Sequence, residues 1–329
     1  MELVCPAGGL PALKAAVDNG ADWVYAGLRD DTNARNFPGL NFDDATLRQG
    51  IDYAHRRSRR VVLAVNTYPQ PGNWSRWTSA IDRVVDLGAD AVIVADAGLM
   101  RYARLAHPKL ELHLSVQGSA TSYEAINFFH QHFGVKRTVL PRVLSLAQVD
   151  LVVRNTQVEI EVFGFGGLCV MVEGRCSLSG YACGTSPNMG GACSPAHAVR
   201  WQETPRGLES RLSGILIDRY AAGERAAYPT VCKGRYVVEG ETYHAFEEPA
   251  SLNTLEMIPE FGRMGVRAIK IEGRQRSPAY VAQVTRVWRE AIDAWKAGEF
   301  SPRASWMAAL DRHAEGSQHT LGAFSRPWK

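Results

Sequence analysis

The sequence predicts an α/β protein, a (β/α)8 TIM-like barrel with one large cysteine-bearing insertion between its seventh and eighth strands. Three observations predict it. Eight short β-rich runs recur along the 329 residues, amphipathic segments fill most of the intervals, and glycines stand where helices should stop. A doubly wound open sheet is the other arrangement of such an alternation. It is disfavoured because no G-x-G-x-x-G follows the first run.

The first run, ELVCPAG at 2–8, leads into the amphipathic stretch LPALKAAVDNGA. DWVYAG at 22–27, RVVLAVNTY at 60–68, AVIVAD at 91–96, ELHLSVQ at 111–117 and RTVLPR at 137–142 follow. The series ends with VEIEVFGFG at 158–166 and RAIKIEG at 267–273. Before several of them Gly20, Gly88 and Gly265, in NGAD, LGAD and MGVR, mark helix ends with the next strand beginning at once. The interval from 167 to 266 is far longer than the other connections. Loops that follow strands leave from the C-terminal face of a barrel, so this insertion should cover the mouth. The barrel domain is therefore expected over 1–299. Residues 300–329, with weak periodicity, read as a short helix and a loose tail that docks a partner.

Composition narrows the function classes. The chain is 46% hydrophobic, which suffices for a sizeable core, and holds no run long and apolar enough to span a membrane. MELVCPAGGLPALKAAV lacks the basic and apolar regions of a signal peptide, so a cytoplasmic location is expected. A net charge of +3 with interspersed signs does not argue for direct nucleic-acid binding.

Five of the six cysteines, Cys169, Cys176, Cys183, Cys193 and Cys232, fall within the insertion; Cys5 on the first strand reads as a small buried apolar residue. In a reducing compartment such clustering points to metal or redox work more than to disulfides. Cys183 is the natural spare of the five. The remaining set, Cys169, Cys176, Cys193 and Cys232, has 6, 16 and 38 residues between successive members, without the close pairs of a structural zinc site. An iron–sulfur cluster in glycine-rich surroundings and a zinc site both remain open on spacing alone.

Strand parity points polar side chains into the barrel. His113, Ser115 and Lys270 turn inward, and residues deep in the barrel, such as Glu159 and His113, read as a structural network, since buried charge must be paired. Asp96 also counts as inward. Asn66, Gln117, Arg142, Glu161, Glu272 and Arg274 are placed at strand C-terminal ends, where barrel sites form. Arg142 and Arg274 suit bidentate grip on a carboxylate, with Asn66 and Gln117 as further substrate contacts. Glu161 and Glu272 are the candidate proton-handling groups, although Glu272 could instead simply pair with Lys270 or Arg274. GRQRS at 273–277 reads either as an anion site at a helix start or as a solvated turn.

EVFGFGGLCVMVEGRCSLS at 161–179 resembles the signature of peptidase family U32, the collagenase-like peptidases, through Glu161, Gly166, Cys169, Gly174, Cys176 and Ser179. Gly167 stands where members often carry Ser or Ala. SVQGSAT, VLPRVLSL, GACSPA, RWQETPRGLESRL, CKGRY, EEPASLNTLE and KIEGRQRSPAYVAQV extend the resemblance to about residue 297, toward members serving oxygen-independent ubiquinone synthesis. The resemblance implies a [4Fe–4S] cluster on Cys169, Cys176, Cys193 and Cys232. It further implies a heterodimer with a UbiV-like partner, a ubiquinone precursor as substrate and prephenate as oxygen donor. Other members hydroxylate ribosomal or transfer RNA, and a non-catalytic metal-stapled scaffold is a third reading. Peptidase activity is not expected, because neither a Ser-His-Asp arrangement nor H-E-x-x-H is found.

Overall fold

The computed structural model describes residues 1–171, 176–316 and 318–326. Parallel pairing runs without a break through β1 (Glu2–Pro6), β2 (Trp23–Gly27), β3 (Arg60–Val65), β4 (Ala91–Val94), β5 (Glu111–Leu114), β6 (Arg137–Val139) and β7 (Glu159–Gly167). The insertion follows. Within it β8 (Val199–Thr204), β9 (Gly207–Leu212) and β10 (Ile215–Tyr220) form an antiparallel sheet. β11 (Tyr236–Val238) and β12 (Glu241–Tyr243) form a hairpin, and β13 (Ala250–Asn253) returns to the barrel. β14 (Ala268–Ile271) then pairs in parallel with both β7 and β1 and closes the barrel. The eight predicted runs are the eight barrel strands.

The sheet forms where β-branched and aliphatic residues alternate with residues tolerated inside a barrel. Leu3, Val24, Leu63, Val94, Leu114, Val162, Ile269 and Ile271 face outward into the main apolar layer, against helix residues such as Leu13, Ile51, Ile81, Leu99 and Trp288. Each side chain fully buried there contributes about 1.5–3 kcal/mol. Val4, Trp23, Tyr25, Val62 and Ile93 pack inside. Helix entries carry the expected side-chain caps: Asp43 accepts from the Thr46 N–H, and Ser145 and Gln148 form a reciprocal capping box. Gly20, Gly88 and Gly265 have positive φ, as the sharp helix-to-strand reversals require.

Three features differ from the sequence expectation. The interval 167–266 is not all insertion: the helix Ile258–Met264 buries Ile258 and Phe261 and is the barrel helix between β7 and β14. Asp96 does not point inward, because its carboxylate caps the helix Ala97–Ala106 by accepting from the Leu99 N–H at 2.8 Å. The C-terminal segment is not loose over its described residues. The helix Ala304–Asp311 buries Trp306 and Leu310, and β15 (Gln318–Thr320) adds to β13. β13 in turn pairs antiparallel with the last residues of β7. β7 thus continues past the barrel rim and anchors both the insertion and the tail.

Candidate functional site

The barrel interior holds two polar groups stacked along its axis. Arg137 organises the lower one. Its Nη2 donates to Glu2 Oε2 and Glu159 Oε2, each at 2.5 Å, and its Nη1 lies 3.6 Å from Glu161 Oε2. Lys270 Nζ donates to Glu161 Oε1 at 2.7 Å. His113 Nε2 lies 2.8 Å from Glu111 Oε1, with its ring 5.3 Å from that of Trp23. Burial would raise the Glu161 carboxyl, but the charges of Lys270 and Arg137 outweigh it and hold it below the usual carboxylate range. Burial pushes the His113 ring downward, opposed by the hydrogen bond that Glu111 accepts from it.

This corrects one expectation. Glu161 faces inward as parity requires, but it sits in the third position of the nine-residue β7 and is only 1% exposed. It is a member of the structural network below, not a group at the mouth. The strand continues for six residues beyond it, which its unbroken apolar and glycine pattern did not reveal.

Tyr25 separates the two groups. Its ring has Lys270 Nζ 4.0 Å from its centroid and Arg274 Cζ 5.6 Å from it, and its hydroxyl donates to the Ile271 carbonyl at 2.8 Å. Arg274 is 7% exposed and donates from Nη1 to Asn33 Oδ1 at 2.7 Å. Among the described residues it has no carboxylate partner within ion-pair distance. Burial lowers its pKa to about 10, opposed by Tyr25 and Glu272. Gly27 makes room for this pair: a Cβ there would lie 2.2 Å from Asn33 Nδ2 and 2.8 Å from Arg274 Nη1. Asn66 Oδ1 accepts from the Ala34 N–H at 3.2 Å, and its amide lies 3.5 Å from Ser115 Oγ. Gln117, 4% exposed, has a buried Oε1 with no hydrogen-bond partner among the described residues. Buried polar atoms are rarely left so, and this one stands ready for a ligand or water.

Glu272 follows β14 and binds two arginines. Arg142 forms a short ion pair with its Oε2, and Arg35 Nη2 lies 3.6 Å from its Oε1. Burial would raise this carboxyl too, but Arg142 and Arg35 together keep it lowered. Arg142 is thus already engaged by Glu272 in this state and also donates to the Gly167 carbonyl at 3.3 Å. In GRQRS only Arg274 turns inward. Arg276 is exposed, its guanidinium 5.5 Å from the Tyr280 ring, and Ser277 caps the last barrel helix, so the rest of that stretch is a solvated helix start.

The insertion lies over this mouth. Asn188 Oδ1 accepts from the Tyr68 N–H at 2.7 Å, and the Gly191 carbonyl accepts from the Asn36 N–H at 3.0 Å. The docking needs a glycine, since a Cβ at Gly191 would approach Asn36 Cβ to 2.3 Å. All five cysteines of the insertion are free thiols. Cys193 lies close enough to Cys169 and Cys176 to feel their charge, and Cys232 to feel that of Cys169. Burial raises both Cys193 and Cys232, the latter to about 11. The Met171 N–H donates to Cys169 Sγ and the Ser179 N–H to Cys176 Sγ, each at 3.4 Å. Burial pushes the Cys183 thiol up, opposed by the nearby Ser213 hydroxyl. Gly174 of the signature lies outside the described residues.

Among the described residues no three His, Cys, Asp or Glu side chains converge as a ready single-ion site. The donor chemistry nevertheless fits a cluster. Four soft thiols, two already receiving backbone N–H bonds, are the donor type that an iron–sulfur cluster takes.

Arg35, Tyr25 and Asn33 escaped the sequence reading. Tyr25 had a signal, its inward parity with Trp23 on β2. Arg35 and Asn33 lie in the irregular loop after β2, where no periodicity assigns a direction.

Comparison with known proteins identifies the family. The pattern of Peptidase family U32 matches residues 8–326. The chain is 33% identical over 320 residues to the "tRNA hydroxylation protein P" of Escherichia coli, covering 91% of this chain and 69% of that one. It is 30% identical over 314 residues to the "Collagenase" of Porphyromonas gingivalis, covering 92% and 68%. Among solved structures, the U32 peptidase Mk0906 shows a partial likeness only, with a TM-score of 0.44, 15% identity and coverage of 51% of this chain and 70% of that one. A family pattern that spans nearly the whole chain, with relatives of this identity over nine-tenths of it, means that this chain belongs to peptidase family U32.

Proposed function

We propose that the chain is the iron–sulfur subunit of an oxygen-independent hydroxylation system in ubiquinone biosynthesis. In this reading it is a UbiU-type protein that works in the cytoplasm with a UbiV-like partner on a ubiquinone precursor. The observation that carries the reading is the docking of a four-thiol insertion over a polar barrel mouth, through Asn188 on Tyr68 and Gly191 on Asn36. Cys169, Cys176, Cys193 and Cys232 would hold a [4Fe–4S] cluster, which supplies one-electron transfer when bound. Beneath it the chain's own residues bind and orient. Arg274, buried without a carboxylate partner among the described residues, offers charge-assisted bonds to an anionic oxygen donor such as prephenate, and Gln117 Oε1, unpartnered among the same residues, and the Asn66 amide offer further polar contacts. Arg142 would join them once released from Glu272. Glu272, held ionised by two arginines, would then accept or pass a proton at the mouth. Glu161, below Tyr25 and paired with Lys270, supports the barrel and takes no part in proton transfer.

Protein purified without air should contain about four irons and four sulfides per chain. Cys176→Ala should lose most of both and Cys183→Ala should keep them. Stoichiometric zinc without iron would sink the reading.

A second reading, hydroxylation of RNA, is favoured by the name of the Escherichia coli relative. Mass spectrometry of quinones and of digested RNA from cells lacking the gene, grown without air, separates the two. Loss of ubiquinone with intact RNA modification supports the first, and the reverse supports the second.

A further inference from the structure

The cysteine patch and the polar mouth meet at one side chain that neither the sequence pattern nor the family signature marks. Arg35 is anchored on both sides. Its backbone N–H donates to Asn33 Oδ1 at 3.1 Å, its carbonyl accepts from Asn41 Nδ2 at 2.7 Å, and its Nη1 donates to the Ala34 carbonyl at 3.1 Å. The same Nη1 lies 3.9 Å from Met171 Sδ, and the Met171 N–H donates to Cys169. The next residue, Asn36, holds Gly191, two positions before Cys193. Arg35 Nη2 lies 3.6 Å from Glu272 Oε1 on the opposite side. The guanidinium therefore stands between the Cys169 turn, the Cys193 turn and the carboxylate of the mouth. Burial acts first on this guanidinium, and Cys169, Glu272 and Cys193, in that order, oppose it and hold its pKa up.

We propose that Arg35 is a positioning residue that tunes the cysteine centre electrostatically, and that Glu272 sets how much of its positive charge reaches that centre. The inference rests on the cluster reading above. One-electron reduction of a thiolate-bound cluster adds a negative charge to the patch. A fixed cation a short distance away stabilises the reduced form, and a carboxylate that partly neutralises the cation works against it. Arg142 binds the other oxygen of Glu272, so a ligand that draws Arg142 away changes the field at Arg35 without touching a cysteine. Mouth and centre are thus linked by three side chains. A role in packing alone would give no consistent sign to charge changes at Arg35 and Glu272.

The test is a reductive titration of the anaerobically purified full chain, with dithionite as electron donor and mediator dyes, after iron and sulfide have been measured. Arg35→Gln should lower the equilibrium constant for one-electron reduction by about tenfold, equivalent to about 59 mV. Arg35→Lys keeps the charge and should stay near the unsubstituted protein. Glu272→Gln should shift the potential the other way, by a smaller amount. Equal potentials in all four proteins at equal iron content overturn the inference and leave the cluster reading intact, as does a shift of the same sign in Arg35→Gln and Glu272→Gln. If Arg35→Gln loses its iron, Arg35→Lys and Glu272→Gln decide by the same signs. Absence of iron from the unsubstituted protein overturns both readings.

Discussion

At the lower end of the barrel Arg137 meets three carboxylates, Glu2, Glu159 and Glu161; at the mouth Arg274, also buried, meets the amide of Asn33. The two ends are built on the same strands and separated by the ring of Tyr25. Below, Arg137 and Lys270 have acidic partners at short range, as the cost of removing charge from water demands. Above, among the described residues, a guanidinium lacks one and an amide oxygen has no partner, while Glu272 is divided between two arginines. The lower network balances its charges at short range, although Arg137 Nη1 makes no hydrogen bond there among the described residues, and the upper one is the more open. An open polar network in a covered cleft costs stability in the free protein and recovers it when a ligand arrives, which is the physical signature of a binding site rather than of packing.

Breaking the lower network should have the largest effect. Lys270→Met strips Glu161 of its closest partner, and loss of about 3–5 kcal/mol of stability is expected from an uncompensated buried charge. Adding Glu161→Leu should restore much of it. Denaturation of the single and double variants measures both, and a single variant as stable as the unsubstituted protein would show that the lower network is open too.

A smaller and opposite pattern is expected above. Arg274→Met should fold with little loss, because no carboxylate among the described residues is stranded. Its affinity for the proposed anionic donor should fall by about 1.5–3 kcal/mol, roughly ten- to a hundredfold. Calorimetry with prephenate under anaerobic conditions reads the affinity, and thermal denaturation reads the fold. A large stability loss with unchanged affinity would assign Arg274 to packing.

The smallest effect sharpens the comparison through pH. Burial, ahead of the opposing Glu111 bond, lowers His113, so its neutral form is favoured in the folded state. Its contribution is complete above the ordinary histidine value of 6.5 and is lost as pH falls from there through its folded value. Glu161 and Glu2, held low by Arg137 and its neighbours, add a second loss below the ordinary value of 4.5. Urea midpoints should therefore decline from pH 7 toward 5, and His113→Gln should flatten that part of the curve. A slope unchanged by the substitution would mean that the ring is not the titrating group.

Much of the fold was legible because each signal was local. The run RAIKIEG shows by alternation that Ile269 and Ile271 pack outward while Lys270 turns in, and Gly265 stops the preceding helix whatever lies around it. Parity could say that Glu161 points inward but not how high in the barrel it sits. That height depends on where β7 begins and ends against β6 and β14, a matter of register between strands far apart in sequence. Asp96 was misread for a related reason: the strand stops at Val94, and the next carboxylate is spent on a helix cap.

The sequence by itself determined the eight strands, the mouth-side origin of the cysteine insertion and the family to which the chain belongs, because periodicity, helix stops and motif order are written along one dimension. Only the tertiary structure decided that Arg142 is held by Glu272 while Arg274 meets the amide of Asn33, and that Arg35 lies between Glu272 and the Cys169 turn. These side chains come from loops and strand ends whose directions are set by packing across the barrel. Coulomb interaction depends on distance in space and not along the chain, so their roles appear only once the barrel has closed.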